Sequence, residues 1–278
     1  LEGKTLEAGM YSFVLKDDKG TEVGRTTNDA SGKFTLTTPT YNEEGNHSYT
    51  VSEVMPEGAT EANHYTVSGV TYDPSEYSVT VTVRRDAGTG ELTAAAEVAG
   101  GNISFTNRYD ANGSTVVVGR KVFEDLSGTD KKMGTYTFAI KEMEKEGDQY
   151  KEKAGGYQST ASNDAEGNFQ FDLSYTLEQA KEQGEYYYKV TETAGTEAGV
   201  VYDSSAYIVK VTVEDNGEGS LEVSEPQIVS GGDKVVFTNR YDETNTTVGG
   251  TKTLEGKTLE AGMYSFVLKD DKGTEVGR

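Results

Sequence analysis

The chain contains no cysteine and no tryptophan, only two histidines and four prolines, and 26 basic residues against 47 acidic ones. Without cysteine there are no disulfides, no thiolate metal sites and no cysteine-based thioester. A secreted β-protein built this way needs another means of resisting force and proteolysis. The histidines, His47 and His64, stand alone and read as surface residues rather than metal ligands. The formal charge of −21 argues against nucleic acid and against an anionic membrane surface, since both attract basic patches. Solubility alone accounts for that charge, and a self-repelling extracellular rod is compatible with it. Hydrophobic residues make up only 34% of the chain, so thin sandwiches are expected rather than a thick α/β body. Signal peptide, transmembrane run and anchoring motif are all lacking, so no membrane insertion is expected in this segment. It reads as neither the start nor the attachment end of its parent.

What is abundant is glycine, with threonine, valine and tyrosine recurring throughout, a usage that favours strands and turns. Self-similarity dominates the sequence. Residues 254–278 copy residues 1–25 without a change, at an offset of 253 positions. Tandem units of that length are the expected source. A weaker repeat lies inside the unit. Thr27-Asn28-Asp29-Ala30-Ser31-Gly32-Lys33-Phe34 returns as Ser162 to Phe169, Tyr72-Asp73 with Tyr77 to Val83 returns as Tyr202-Asp203 with Tyr207 to Val213, and Phe105 to Asp110 returns as Phe237 to Asp242. The expected organisation is a first domain over 1–110, a homologous second domain over 114–242, and the start of the next first-type domain over 246–278. Ala111-Asn112-Gly113 and Glu243-Thr244-Asn245 are brief links, which implies a stiff string.

Strict alternation in Tyr77–Val83 and Tyr207–Val213 predicts strands with one apolar face. Asp86-Ala87-Gly88 and Asn216-Gly217 predict hairpin turns after them. Many short strands so punctuated predict an all-β sandwich. One short helix is expected over Thr176–Gln183, with Thr176 as N-cap and Gly184 as its end. The Asn-Asp-Ala-x-Gly segments lack the acidic ligand run of a calcium loop and read as turns. Neither a metal nor a cofactor is expected, and no glycine-rich segment has the strand–helix context of a phosphate loop.

Parity assigns a face to every strand residue, and five polar residues fall on the apolar side. Glu192 shares parity with Tyr188 and Val190, and Glu53 with Tyr49 and Val51. Asn239 aligns with Val235, Phe237 and Tyr241, Asn107 with Ile103, Phe105 and Tyr109, and Lys121 with Val117, Gly119 and Phe123. Burying such groups separately costs a few kcal/mol each, and more for a charge. Together, burial raises a carboxyl pKa and lowers an amine pKa. A neutral amine is a nucleophile, and a protonated carboxyl can polarise the Asn carbonyl and shuttle a proton to the leaving nitrogen. The outcome would be a Lys–Asn isopeptide bond with loss of ammonia. A plain buried polar network fits the spacing as well.

At these residues the sequence resembles the isopeptide-linked pilin domains of Gram-positive surface fibres, of the streptococcal backbone-pilin type, and more distantly the collagen-adhesin B-type domains. The matching pieces are Thr115 to Lys121, Tyr186 to Glu192, Val201-Tyr202-Asp203 through Val213, and Phe237-Thr238-Asn239. The resemblance implies tandem Ig-like β-sandwich domains. It implies Lys121 as nucleophile, Asn239 as acceptor and Glu192 as the group that promotes a bond between first and last strands. In the first domain Glu53 and Asn107 match, but no lysine occupies the expected place. Thr251-Lys252-Thr253 precedes the second Leu-Glu-Gly, so the missing lysine is expected just before Leu1. Lys252 is then expected to serve the next copy's counterparts of Glu53 and Asn107. Lys4 is a rival partner for Asn107, five positions downstream of the motif and on the opposite face of a regular strand. No cell-wall sorting signal and no clear pilin-motif lysine are visible.

The expected function is an extracellular, wall-attached shaft or stalk stabilised by autocatalytic isopeptide bonds. Each group reacts once on its own chain, so it is not an enzyme. The expected partners are neighbouring repeats. The alternative is an adhesin module that binds a host receptor or matrix protein through loops or a sheet face. A hydrolase lacks a catalytic constellation.

Overall fold

The computed structural model describes residues 1–278. The alternating segments become strands whose apolar faces meet between two sheets. The first domain contains β1 (Ser12–Asp17), β2 (Glu22–Thr27), β3 (Gly45–Glu53), β4 (Thr66–Val67), β5 (Val70–Thr71), β6 (Glu76–Arg85), β7 (Leu92–Val98) and β8 (Arg108–Tyr109). Its larger sheet runs β2-β1-β3-β6-β7, and its smaller one runs β4-β5-β8. Leu15, Tyr49, Val51, Val79, Val81 and Val83 form its buried cluster.

The second domain contains β9 (Asn112–Asp125), β10 (Thr137–Glu146), β11 (Gln149–Glu152), β12 (Gln158–Ser162), β13 (Asn168–Thr176), α1 (Leu177–Glu182), β14 (Glu185–Thr193), β15 (Val200–Val201), β16 (Ala206–Asp215), β17 (Leu221–Val223), β18 (Gln227–Ser230) and β19 (Val236–Tyr241). One sheet runs β11-β10-β14-β16-β17, with β12 also on β10 and β18 also on β16; the other runs β13-β9-β19-β15. The long β9 pairs antiparallel with β13, then parallel with β19. First and last strands of the domain are thus neighbours. Phe138 stacks on Phe169 at 3.7 Å between ring centroids, and the first domain repeats this with Phe13 on Phe34 at 4.0 Å.

Helix α1 starts as its residues dictate. Thr176 and Gln179 form a reciprocal capping box. Its end differs from expectation: Gln183, in extended conformation, stops it one residue before Gly184. The first domain also has an unexpected 3-10 turn at Glu61–Asn63. Ala111-Asn112-Gly113 is not a free link, because Ala111 is buried and β9 begins at Asn112.

The seam between the domains is tight. The Tyr109 hydroxyl donates to Asp215 Oδ1 at 2.5 Å and accepts from the Gly219 N–H at 3.1 Å. A Cβ on Gly69 would lie 2.3 Å from the Gly219 Cα, so glycine is needed for the two backbones to touch.

Residues 246–278 hold only β20 (Leu268–Lys269) and β21 (Glu275–Gly277), paired with each other. Although residues 254–278 are identical to residues 1–25, they form no β1-like strand packed in a sandwich. Identical sequence has different structure here because a strand's apolar face is stable only against a partner sheet.

Candidate cross-linking site

Three elements bring the second-domain residues together. Lys121 lies on β9, Glu192 on β14 and Asn239 on β19. Parity turns each side chain inward, and the parallel register sets Lys121 opposite Phe237 and Asn239 opposite Phe123. Lys121 and Asn239 therefore stand two residues apart on adjacent strands, while Glu192 reaches them from the facing sheet beside Phe138. Asn239 is 0% exposed, and the side chains of Lys121 and Glu192 are both 0% exposed.

One carboxylate binds both partners. The Lys121 amine donates to Glu192 Oε2 at 2.8 Å, and the Asn239 amide donates to Glu192 Oε1 at 2.7 Å. The Lys121 Nζ also lies 4.7 Å from the Tyr136 ring centroid. Burial lowers the Lys121 pKa, against the opposing pull of its bond to Glu192.

The Asn239 carbonyl is held differently from expectation. Its Oδ1 accepts from the backbone N–H of Asp203 at 2.8 Å, so Glu192 faces the amide nitrogen and not the carbonyl. The Asp203 carboxylate in turn accepts from the N–H groups of Thr238 and Ser205, which fixes the turn. These bonds outweigh burial and hold the Asp203 carboxyl below the usual range. Asp203 and Tyr136 were missed as contributors. The Tyr202-Asp203 repeat was visible, but a backbone donor leaves no residue signature.

The first domain repeats this arrangement with one group missing. Glu53 and Asn107 are 4% exposed, and the Asn107 amide donates to Glu53 Oε1 at 2.6 Å. The Asp73 N–H donates to Asn107 Oδ1 at 2.9 Å. Glu53 Oε2, the counterpart of the oxygen that receives Lys121, is buried with no partner. Burial pushes the Glu53 carboxyl up to about 7.

Neither candidate lysine reaches this pair. Lys4 donates to the Gly217 carbonyl at 3.0 Å, at the domain seam. Lys252 is exposed, donates to the Thr253 carbonyl and lies 4.9 Å from the Tyr264 ring centroid. His64 is exposed; His47 is only half-exposed, with its ring 4.5 Å from that of Tyr41. The Asn-Asp segments are turns: Asp29 Oδ1 accepts from the N–H groups of Ser31 and Lys33, and Asp164 Oδ1 from that of Asn168.

Two stretches of the chain match one family model. Residues 1–110 and 117–242 match the FctA family, the Spy0128-like isopeptide containing domain, and the chain belongs to that family. Among solved structures, the chain is similar to the major pilin of Streptococcus pyogenes, with 16% identity over 87% of this chain and 95% of that one, at a TM-score of 0.30. The T3.2 major pilin of Streptococcus pyogenes shares 17% identity over 87% and 94%, at a TM-score of 0.25. The pilus adhesin SpaC of Lactobacillus rhamnosus GG shares 11% over 87% and 29%, at a TM-score of 0.21. No curated protein matches the chain. No helix is long and apolar enough to cross a membrane.

Proposed function

We propose that this chain is a shaft segment of a bacterial surface fibre whose domains cross-link themselves through Lys–Asn isopeptide bonds. The observation that carries the reading is the fully covered Lys121–Glu192–Asn239 cluster, in which one carboxylate holds amine and amide together. A site sealed between two sheets suits chemistry on its own chain, turned over once.

Glu192 takes a proton from the Lys121 ammonium, leaving a neutral amine. Lys121 Nζ attacks Asn239 Cγ, and the Asp203 N–H stabilises the charge that develops on Oδ1. Glu192 hands its proton to Nδ2, to which it is already bonded. The Cγ–Nδ2 bond breaks, ammonia leaves, and Glu192 takes the second proton from Nζ. A dry pocket favours the first proton transfer, because neutral forms prevail there over charged ones.

The first domain is read as the same device with its lysine supplied by the preceding repeat, at the position Lys252 holds here. Exact repetition favours a shaft over an adhesin module, since it adds length without diversifying loops. The test is intact mass. The folded chain should lose one ammonia at the second domain, and Lys121→Ala, Asn239→Ala or Glu192→Ala should each abolish the loss. An unmodified mass in mature folded protein refutes the reading.

A further inference from the structure

One strand of the second domain is apolar on both faces. Elsewhere the outward residues are polar: Ser78, Thr80 and Thr82 on β6, and Gln170, Asp172 and Ser174 on β13. On β9 the inward set is Val117, Gly119, Lys121 and Phe123, so Val116, Val118, Arg120 and Val122 point away from the core. Val116 is 40% exposed and Val118 67%. Valines on both faces are the pattern of a strand that is covered on both sides. The corresponding strand motif of the other domain type, aligned on Lys121 and Lys252, has Thr247, Gly249, Thr251 and Thr253 at these outward positions. The valines are thus particular to the second domain.

The register places the neighbours of the strip. Val118 lies opposite Gln170, and Val116 opposite Asp172. On the other side Arg120 lies opposite Val236, which is half-buried and extends the apolar surface onto β19. Two charges of opposite sign flank the centre of this face, and neither is neutralised. Arg120 is exposed and has no carboxylate within ion-pair distance, whereas Arg240 on the next strand holds Glu124 at 2.9 Å. The Asp172 carboxylate accepts only from the Gln170 amide, at 3.1 Å.

The arrangement is self-complementary. Turning one copy about a two-fold axis that crosses the strands at Val118 lays β9 antiparallel over β9 of a second copy. Val118 then meets Val118, and Arg120 falls over Val116, beside Asp172 of the second copy. Facing sheets stand about 10 Å apart and neighbouring strands about 4.8 Å, a gap that an arginine and an aspartate together span. Symmetry makes the same pair twice.

We propose that this outer face of the second domain is a lateral contact, through which two copies of the chain pack sheet against sheet with their β9 strands antiparallel. The face offers on the order of 500 Å² a side, short of the roughly 800 Å² per partner of a standard interface. Single chains therefore pair weakly, and a shaft that repeats the face gains strength from the number of contacts.

The test is sedimentation of the full chain at physiological salt, up to the millimolar range. The parent should pass from monomer to dimer as concentration rises. Arg120→Asp sets two carboxylates against each other, and Asp172→Arg sets two arginines against each other. Each variant alone should need at least a tenfold higher concentration to pair. Mixed in equal amounts they should pair again, because both contacts are then Asp–Arg. The substituted side chains are exposed, so both variants should keep the parent's melting temperature. A second readout uses the absence of cysteine from the chain. Val118→Cys should form a disulfide-linked dimer at least tenfold faster than Thr80→Cys, an exposed position on the other domain. A parent that stays monomeric throughout overturns the proposal, and the valine strip then serves a different partner. Dimers that Arg120→Asp leaves intact, or a mixture that fails to pair, overturn it equally.

Discussion

Replacing Lys121 by methionine removes the cross-link while leaving an unbranched, uncharged side chain of similar length. Glu192 still accepts from Asn239, so the pocket keeps one of its two polar bonds. What is lost is the restraint on the unfolded chain. The bond between Lys121 and Asn239 closes a loop of about 120 residues, for which chain entropy gives about 5 kcal/mol. A domain of this size unfolds with an entropy of about 0.3 kcal/mol/K, so the melting temperature of the second domain should fall by about 15–20 °C. Glu192→Gln also blocks the bond and, like Lys121→Met, removes one member of the buried pair, so its melting temperature should fall at least as far. Calorimetry on the two variants and the parent, each with its intact mass, tests the ranking. If the parent has lost ammonia and Lys121→Met melts within about 3 °C of it, the entropic reasoning is wrong.

The first domain should be pH-sensitive. The Glu53 carboxyl is raised by burial from 4.5 to about 7, so the folded form holds a proton that the unfolded form has released. Stability should be greatest below the lower value and decline as pH rises toward the higher one; the lower calorimetric transition should move accordingly, and Glu53→Gln should flatten it. Gly119→Ala should drive a Cβ into the Phe169 ring and lower the urea midpoint by the equivalent of about 1–3 kcal/mol. Asp203→Ala removes the carboxylate that accepts from Thr238 and Ser205, loosening the N–H aimed at Asn239. Cross-linking followed by mass after refolding should then slow by about tenfold or more, and an unchanged rate would discount the Asp203 N–H.

Parity was enough to send the side chains of Lys121, Glu192, Asn239, Glu53 and Asn107 to the interior, because a strand's period of two puts them on the apolar face. The sandwich architecture was legible for the same reason. The hydrogen-bond partners of the Asn239 amide were not. Which atom faces Glu192 depends on a backbone donor at Asp203, and every residue but proline carries one. Tyr136 sits outside any strand, so no periodicity aimed its ring at Lys121. Residues 34–37 alternate as a strand should, but Pro39 and the out-of-phase Tyr41 break the pattern, and no strand forms there. A ladder needs a paired neighbour, and residues 34–41 make no backbone hydrogen bonds to one.

The parallel pairing of β9 with β19 has a consequence for length. With Lys121 joined to Asn239, a pull on the two ends of the domain passes from β9 to β19 within two residues of register. The roughly 120 residues between them, which would otherwise pay out about 400 Å of slack when the domain unravels, stay at zero tension. A shaft of such units would keep nearly constant contour length under load, and its only elastic give would lie in the seams between domains.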